Sequence, residues 1–179
     1  MAVLLALLTG IGPGPATAQA PSSGLERQVK AAYLYKFASF VEWPAASFAR
    51  PDSALQIGVV GSEALAEQLE RMVAGRCVGG HPLKVRRLQR PVALDQLHIL
   101  FLDNSLEPGA MAAMLGAACG HPLLTVSDAA DATVVGCMIG FVIAADKLRF
   151  DVALRHVGLS RLRISARMLA VAHKVQGAT

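Results

Sequence analysis

The sequence predicts an α/β fold: a single-domain sandwich in which helices flank a largely parallel sheet, with an antiparallel hairpin towards the C-terminus. Two observations support this class. Short apolar runs typical of buried strands alternate along the 179-residue chain with segments of helical periodicity. Towards the C-terminus, two strand-like segments follow each other with only Ala145 and Asp146 between them, as in a hairpin.

The first predicted element is a helix over 25–42. The stretch VKAAYLYKFASFVEWP, which spans Val29 to Pro44, holds five of the chain's nine aromatic residues. One face of the helix is apolar and is expected in the core. The residues of that face are Val29, Tyr33, Leu34, Phe37, Phe40 and Val41. Pro44 forces Trp43 out of helical geometry, so the helix ends there.

Strands and helices then alternate. LQIGVV and HILFL are continuous apolar runs, typical of strands covered on both faces. Ser62 is the expected N-cap of a helix, with Glu63 in the first turn. The predicted strands are Leu55–Val60, Leu83–Leu88, His98–Leu102, Leu123–Val126, Met138–Ala144 and Lys147–Val152. The further predicted helices are Ser62–Val73, Glu107–Ala118 and Ser165–Val175.

Residues 1–20 predict a secretory signal peptide. They carry no charge, contain an apolar run over 2–8, and end in small residues that suit cleavage after Ala18 or Ala20. We therefore expect residues 21–179 to form the single mature domain, in the periplasm.

The charge pattern does not favour nucleic acid as a partner. The formal net charge is +4. The densest basic patch (Arg86, Arg87 and Arg90) has no aromatic residues between its arginines, whereas single-stranded nucleic acid binders combine basic and stacking side chains. We interpret the patch as a solvated strand face.

Three cysteines in an exported protein predict one disulfide and one remaining thiol. The candidate pairs are Cys77–Cys119 and Cys119–Cys137, and the sequence leaves both open. Cys77 and Cys119, with His81 and His121, would also offer zinc ligands. Because their spacing differs from that of zinc fingers and ribbons, we predict no metal site.

The sequence contains no recognisable catalytic motif, so we predict neither enzymatic activity nor a cofactor. One feature favours a small ligand. Polar residues follow the predicted parallel strands at their carboxyl ends, where such sheets bind small molecules. These candidate crevice residues are Ser62, Asn104, Ser127 and Asp128.

The aromatic helix also carries a family resemblance. VKAAYLYKFASFVEWP resembles the opening helix of the YfiR-like family. The similarity continues through LQIGVVGSEAL, VGGHPLKVRRL, HILFLDNS, GHPLLTVSDA, CMIGFVIAADKLRFDV and GLSRLRISARMLAVA, and so covers almost the whole mature chain. Lys36, Gly140 and Ala153 depart from the family pattern, which has Asn at these positions.

The resemblance implies a bacterial periplasmic regulator. Such a protein represses an inner-membrane diguanylate cyclase by binding its periplasmic part, which lowers cyclic di-GMP signalling and biofilm formation. An outer-membrane lipoprotein that sequesters the repressor is a second implied partner, and a homodimer is a candidate assembly. Because aromatic side chains often anchor interfaces, we expect Tyr35, Glu42 and Trp43 to contact the partner. The alternative is a small-molecule binding module that feeds a membrane sensor.

Overall fold

Helices and strands alternate along the residues that the computed structural model describes, 21–89 and 94–177. The predicted signal peptide and Arg90 lie outside these ranges. The helices are α1 (Pro21–Phe40), α2 (Glu63–Val73), α3 (Pro108–Ala118), α4 (Ala132–Val135), α5 (Leu154–Gly158) and α6 (Ala166–Val171). The strands are β1 (Val41–Glu42), β2 (Leu55–Val60), β3 (Cys77–Val78), β4 (His81–Leu88), β5 (Ile99–Leu102), β6 (Leu124–Ser127), β7 (Ile139–Ala144), β8 (Lys147–Ala153), β9 (Arg163–Ile164) and β10 (Lys174–Gln176).

Eight strands form one sheet in the order β10-β8-β7-β6-β5-β2-β4-β3. The pairings from β4 across to β7 are parallel, and β10 is parallel to β8. The antiparallel strands β7 and β8 form the predicted hairpin. Its turn residues Ala145 and Asp146 have φ angles of 49° and 57°, the left-handed geometry that a type I′ turn requires. The predicted α/β class, with a largely parallel sheet and a hairpin, is confirmed.

Apolar side chains cover the central sheet on both faces. Ile99 and Phe101 of β5 belong to a core cluster shared with α1 and α2, whereas Leu100 and Leu102 belong to a second cluster shared with α3. All four side chains are 0% exposed. Because successive side chains of a strand point to opposite faces, the sheet is the middle of three layers.

The buried face of α1 is rotated relative to the prediction. Val29, Tyr33 and Phe40, which we expected in the core, are only half-buried. Leu34 and Phe37 of α1 and Val41 of β1 are buried as predicted, and the other buried residues of the helix are Ala31 and Ala38. The two alanines have small side chains, which let the helix lie close to its neighbours, and the larger side chains are left along its flank. None of the described helices is long and apolar enough to span a membrane.

Two helix ends also differ from the prediction. α1 stops at Phe40 because the next two residues pair with β9 as strand β1. The C-terminal helix begins as predicted, where Ser165 Oγ accepts a hydrogen bond from Met168 N–H. It ends at Val171, and the chain continues as β10 beside β8. Both corrections come from short strands whose partners are distant in sequence.

Gly58 makes room in the core for two leucines. A Cβ at this position of β2 would lie 2.8 Å from Cδ1 of both Leu88 and Leu97. We expect Gly58→Ala to lower the free energy of unfolding by about 1–3 kcal/mol through overpacking. The control is Gly116→Ala in α3, where nothing lies within 4 Å of the added Cβ. It should raise the free energy of unfolding by about 0.5–1 kcal/mol. Urea unfolding measures both, and equal effects would contradict this packing.

Candidate functional site

An open crevice of about 610 Å³ lies at the carboxyl edge of the sheet. Two of the four predicted crevice residues line it: Asn104 and Asp128, joined by a 2.8 Å hydrogen bond from Asn104 N–H to Asp128 Oδ1. Ser127 is buried, and its Oγ accepts from Ala129 N–H within the turn. Ser62 lines a separate depression beside β4. The four predicted residues therefore do not form one site: Asn104 and Asp128 share the crevice, whereas Ser62 and Ser127 lie outside it.

Asp128 belongs to a nearly buried ion pair. Its Oδ2 lies 2.6 Å from Nζ of Lys30 on α1, and the Lys30 and Asp128 side chains are 13% and 7% exposed. Lys30 also pairs with Glu26, one turn earlier. Burial alone would lower the pKa of Lys30, but the bonds to Asp128 and Glu26 outweigh it and raise the pKa. The carboxylate thus ties α1 to the end of β6.

The predicted partner-contact residues differ in accessibility. Trp43 is half-buried, and its Nε1–H donates a 3.1 Å hydrogen bond to the backbone carbonyl of His98. Tyr35 is half-buried, with the guanidinium carbon of Arg76 5.1 Å from its ring centroid. Glu42 on β1 is exposed. The Trp43 indole is therefore already engaged in a hydrogen bond within the protein, and Glu42 is the most accessible of the three residues.

A groove that we did not predict from the sequence runs along α1 beside α6. It has a volume of about 240 Å³ and an almost wholly apolar wall. The half-buried Val29, Tyr33 and Phe40 line it, together with Val171, which is 61% exposed. Among the residues that the structure describes, Lys36 is the one charged residue of this wall. The sequence did carry one signal for this groove: the predicted apolar face of α1 is wider than the face that the helix buries.

A cluster of aromatic rings at the amino edge of the sheet was also missed, because its histidines are far apart in sequence. Phe48 stacks on His81 and on His98, with centroid distances of 3.7 and 4.4 Å. Gln56 N–H donates to His98 Nδ1 over 3.2 Å. Burial lowers the pKa of His98 to about 4, and the nearby Ser47 backbone opposes this only in part. The imidazole is therefore neutral at pH 7.

The basic strand face is partly neutralised. Arg87 pairs with Glu63 over 2.9 Å and with Glu70 over 2.6 Å. Arg87 is exposed on β4, as we expected for a solvated strand face, and its two ion pairs leave less free positive charge for a polyanion.

The three cysteines are free thiols, so neither predicted disulfide is formed. Cys77 lies in the edge strand β3, four strands away from β6, which is about 19 Å at the usual strand spacing. Cys119 precedes β6 and shares a depression with Met138, on the far side from β3. The Cys77–Cys119 pair is therefore incompatible with this fold. Cys119 is exposed and Cys137 is buried, and no bond joins them.

Among the described residues, no group of three or more His, Cys, Asp or Glu side chains is placed to hold a metal ion.

One family model matches the chain, over residues 27–173, and it is described as YfiR/HmsC-like. The match runs from α1 to the residue before β10, and so includes the groove, the crevice and the ring cluster. No curated protein matches the chain at a significant level.

The Lys30–Asp128 pair should contribute measurably to stability. Asp128→Ala leaves the ammonium with Glu26 alone, and we expect the free energy of unfolding to fall by about 2–4 kcal/mol. The control removes an exposed pair, Arg71–Glu67, whose side chains are 60% and 59% exposed. Glu67→Ala should change the value by about 0.5 kcal/mol or less. Urea unfolding at pH 7 compares the two variants, and a small effect of Asp128→Ala would contradict the structural role.

Acid should destabilise the fold through His98. Its pKa is about 4 in the folded protein and about 6.5 when unfolded. Below pH 6.5 the unfolded chain therefore takes up a proton that the folded protein does not bind. This contribution to stability is complete above pH 6.5 and is lost towards pH 4. Between pH 7 and pH 5 the loss is about 2 kcal/mol.

Urea unfolding at pH 7 and pH 5 tests this assignment. In His98→Asn, the difference in stability between the two pH values should be smaller than in wild type by about 2 kcal/mol. His121→Asn, at an exposed position, should keep the wild-type difference. An unchanged difference in His98→Asn would show that another group titrates.

Proposed function

The chain belongs to the YfiR/HmsC-like family, and from this premise we propose that it is a periplasmic repressor that acts by protein–protein contact. At family level these proteins are periplasmic regulators of diguanylate cyclase signalling, and the family is not known as catalytic. In our proposal the protein binds the periplasmic part of an inner-membrane diguanylate cyclase. Binding lowers cyclic di-GMP and biofilm formation. The signal peptide predicted over 1–20 would export it.

The apolar groove along α1 is the observation that supports a binding role. Tyr33, Phe40 and Val171 form an apolar wall that is open to solvent. Covering such surface drives association. A groove beside a helix suits an amphipathic partner helix, whose apolar side chains would pack into it. Lys36 offers a partner for an acidic residue at the edge of that helix.

Repression would be a shift between two arrangements of the cyclase. A repressor favours the inactive arrangement only by the difference in its affinity for the two. Moving an equilibrium from 1:99 to 99:1 requires a difference of about 5.5 kcal/mol. Two or three fully buried side chains, at about 1.5–3 kcal/mol each, supply that amount. An outer-membrane lipoprotein that covers the same groove would relieve repression by competition.

The surface around Tyr35, Glu42 and Trp43 is a second candidate for this contact. Tyr35 and Phe40 are five positions apart on α1, which places them about 140° apart around the helix. One flat partner surface therefore cannot cover both the groove and Tyr35. We propose the groove as the primary contact because its wall is almost wholly apolar and open, whereas the Trp43 indole already bonds to the His98 carbonyl.

A small-molecule binding module that feeds a membrane sensor is the alternative function. The crevice beside Asn104 and Asp128 supports it, since about 610 Å³ lies within the usual range for ligand pockets. Asp128 already pairs with Lys30, whereas Asp151 and Lys174 of the same wall offer polar groups to a ligand. A thermal-shift screen of amino acids, nucleotides and vitamins tests this function. A ligand at 100 times its dissociation constant would add about 2.7 kcal/mol.

Val171→Asp should abolish repression, because a charge in the groove would be buried against the partner and weaken binding by at least about tenfold. We would measure intracellular cyclic di-GMP in a deletion strain complemented with wild type or with the variant. Wild type should lower the level, and Val171→Asp should leave it high. The position is 61% exposed, so the purified variant should keep its melting temperature.

The matched control is Val175→Asp, at a 40% exposed valine on β10 that lines neither the groove nor the crevice; it should restore repression. Tyr35→Ala and Glu42→Ala test the second surface in the same assay. Full repression by Val171→Asp would exclude the groove. A deletion strain with an unchanged cyclic di-GMP level would overturn the repressor role itself.

A further inference from the structure

Strand β4 has an open outer side. On its inner side β4 pairs with β2 from Leu83 to Leu88. On its outer side β3 pairs only with His81 and Pro82. In the part of the chain that the structure describes, no other strand lies beside β4 on that side. Residues 84–88 therefore form an unpaired strand edge about 17 Å long.

A hydrogen bond of Leu83 shows which backbone groups point outwards from this edge. Leu83 N–H donates over 3.0 Å to the carbonyl of Arg76, on the β3 side. Because backbone groups of successive strand residues point in opposite directions, those of Val85 and Arg87 face the same way as Leu83. Arg87 is exposed and Val85 is half-buried, and the backbone of neither bonds to a described segment on this side. Their two N–H and two C=O groups form a template for another strand.

The opposite end of the sheet is covered by other parts of the chain. β10 pairs with β8 over Asp151–Ala153. Earlier in β8, the Leu148 carbonyl accepts from the Tyr33 hydroxyl, and the Phe150 carbonyl accepts a 2.8 Å hydrogen bond from His173 N–H. α1 and the residue before β10 thus supply partners at that end, whereas the described residues supply none for the outward groups of β4.

Basic side chains set the chemistry of the open edge. Arg87 is held by Glu63 and Glu70 of α2. Lys84 and Arg86 form no ion pair with any described residue. They are two positions apart, so both point to the face of the sheet opposite Arg87. An added strand with acidic residues two positions apart would place them beside Lys84 and Arg86, and opposite charges stabilise such cross-strand pairs.

A second copy of the chain does not suit this edge. If two β4 edges paired with each other, basic residues would lie opposite basic residues, and like charges in that position destabilise a pair of strands. Charged side chains on natural strand edges prevent self-association in this way. A strand that carries carboxylates has the complementary charge.

We propose that the outer edge of β4 binds an extended, acidic segment of a partner protein, which joins the eight-stranded sheet as a further strand. The backbone of Val85 and Arg87 supplies the hydrogen bonds, and Lys84 and Arg86 select carboxylates at alternate positions. In this mode of recognition, main-chain bonds give affinity and alternate side chains give specificity. The edge shares no residue with the groove, so binding here does not require the repressor role.

The test is a titration of the ¹⁵N-labelled protein at pH 6.5 with a capped nine-residue peptide, TEVEVEVET, followed by NMR. We expect saturable binding that slows hydrogen exchange of the Val85 and Arg87 amides by about tenfold or more. The amide of Arg86, which faces β2, should exchange slowly both before and after binding. Unchanged exchange of Val85 and Arg87 in excess peptide would overturn the proposal.

Two further peptides separate backbone pairing from charge. TKVKVKVKT, in which Lys replaces Glu, should bind weaker by about tenfold or more, because it places like charges on the edge. The acidic peptide with N-methyl groups on its central Val and on the Glu that follows keeps its charge but loses one donor on each of its edges. It should also bind about tenfold more weakly. Equal binding of the methylated and unmethylated peptides would exclude strand addition.

Variants of the protein test the assigned edge. Lys84→Glu combined with Arg86→Glu should weaken binding of the acidic peptide by about tenfold or more. The matched control is Lys147→Glu combined with Arg149→Glu, which reverses two exposed charges at the same spacing in β8 and should bind as wild type. Because Lys84 is exposed, Lys84→Glu alone should fold even if the double variant does not, and it should weaken binding by about threefold. Equal affinities of the β4 variants and the control would overturn the assigned site.

Discussion

Burial of β5 on both faces is the constraint on which the rest of the molecule depends. Ile99, Leu100, Phe101 and Leu102 are wholly inaccessible, and a parallel strand of this kind needs helices on both sides. α1 and α2 cover one face and α3 covers the other. With both faces covered, the binding surfaces are confined to the edges of the sheet and to the flank of a helix. The crevice, the ring cluster around His98 and the groove occupy these places.

Much of the fold could be predicted because its signals are local. The apolar run over Leu55–Val60 became β2 with the predicted bounds, and the turn at Ala145 and Asp146 has the expected geometry. The short strands β1, β9 and β10 could not be predicted, since two or three residues carry no periodicity and their partners are distant in sequence. The rotation of α1 had a similar cause: hydrophobicity favours rings over alanine, whereas close packing of α1 selected Ala31 and Ala38.

The candidate sites were harder to predict than the fold. The strand ends predicted Asn104 and Asp128 at one edge of the sheet, where both lie, but the sequence does not show that Lys30 reaches Asp128 across 98 residues. Gly140 illustrates a second limit. A Cβ there would lie 3.2 Å from Cβ of Ala132 and 3.3 Å from Cγ2 of Thr133. The close approach of α4 explains why this position cannot easily hold the Asn of the family pattern, and that approach shapes the crevice wall.

The long-range contacts of α1 affect the order in which the protein can fold. The Tyr33 hydroxyl donates a hydrogen bond to the carbonyl of Leu148, 115 residues later. β1 cannot form its pairing until β9 has been synthesised. During synthesis, α1 emerges before every strand of the main sheet, yet it cannot complete its native contacts until α6 has followed. Contacts between distant segments also form slowly. In that interval the rings of α1 lack their final cover, so the nascent chain presents an apolar helix that general chaperones can recognise.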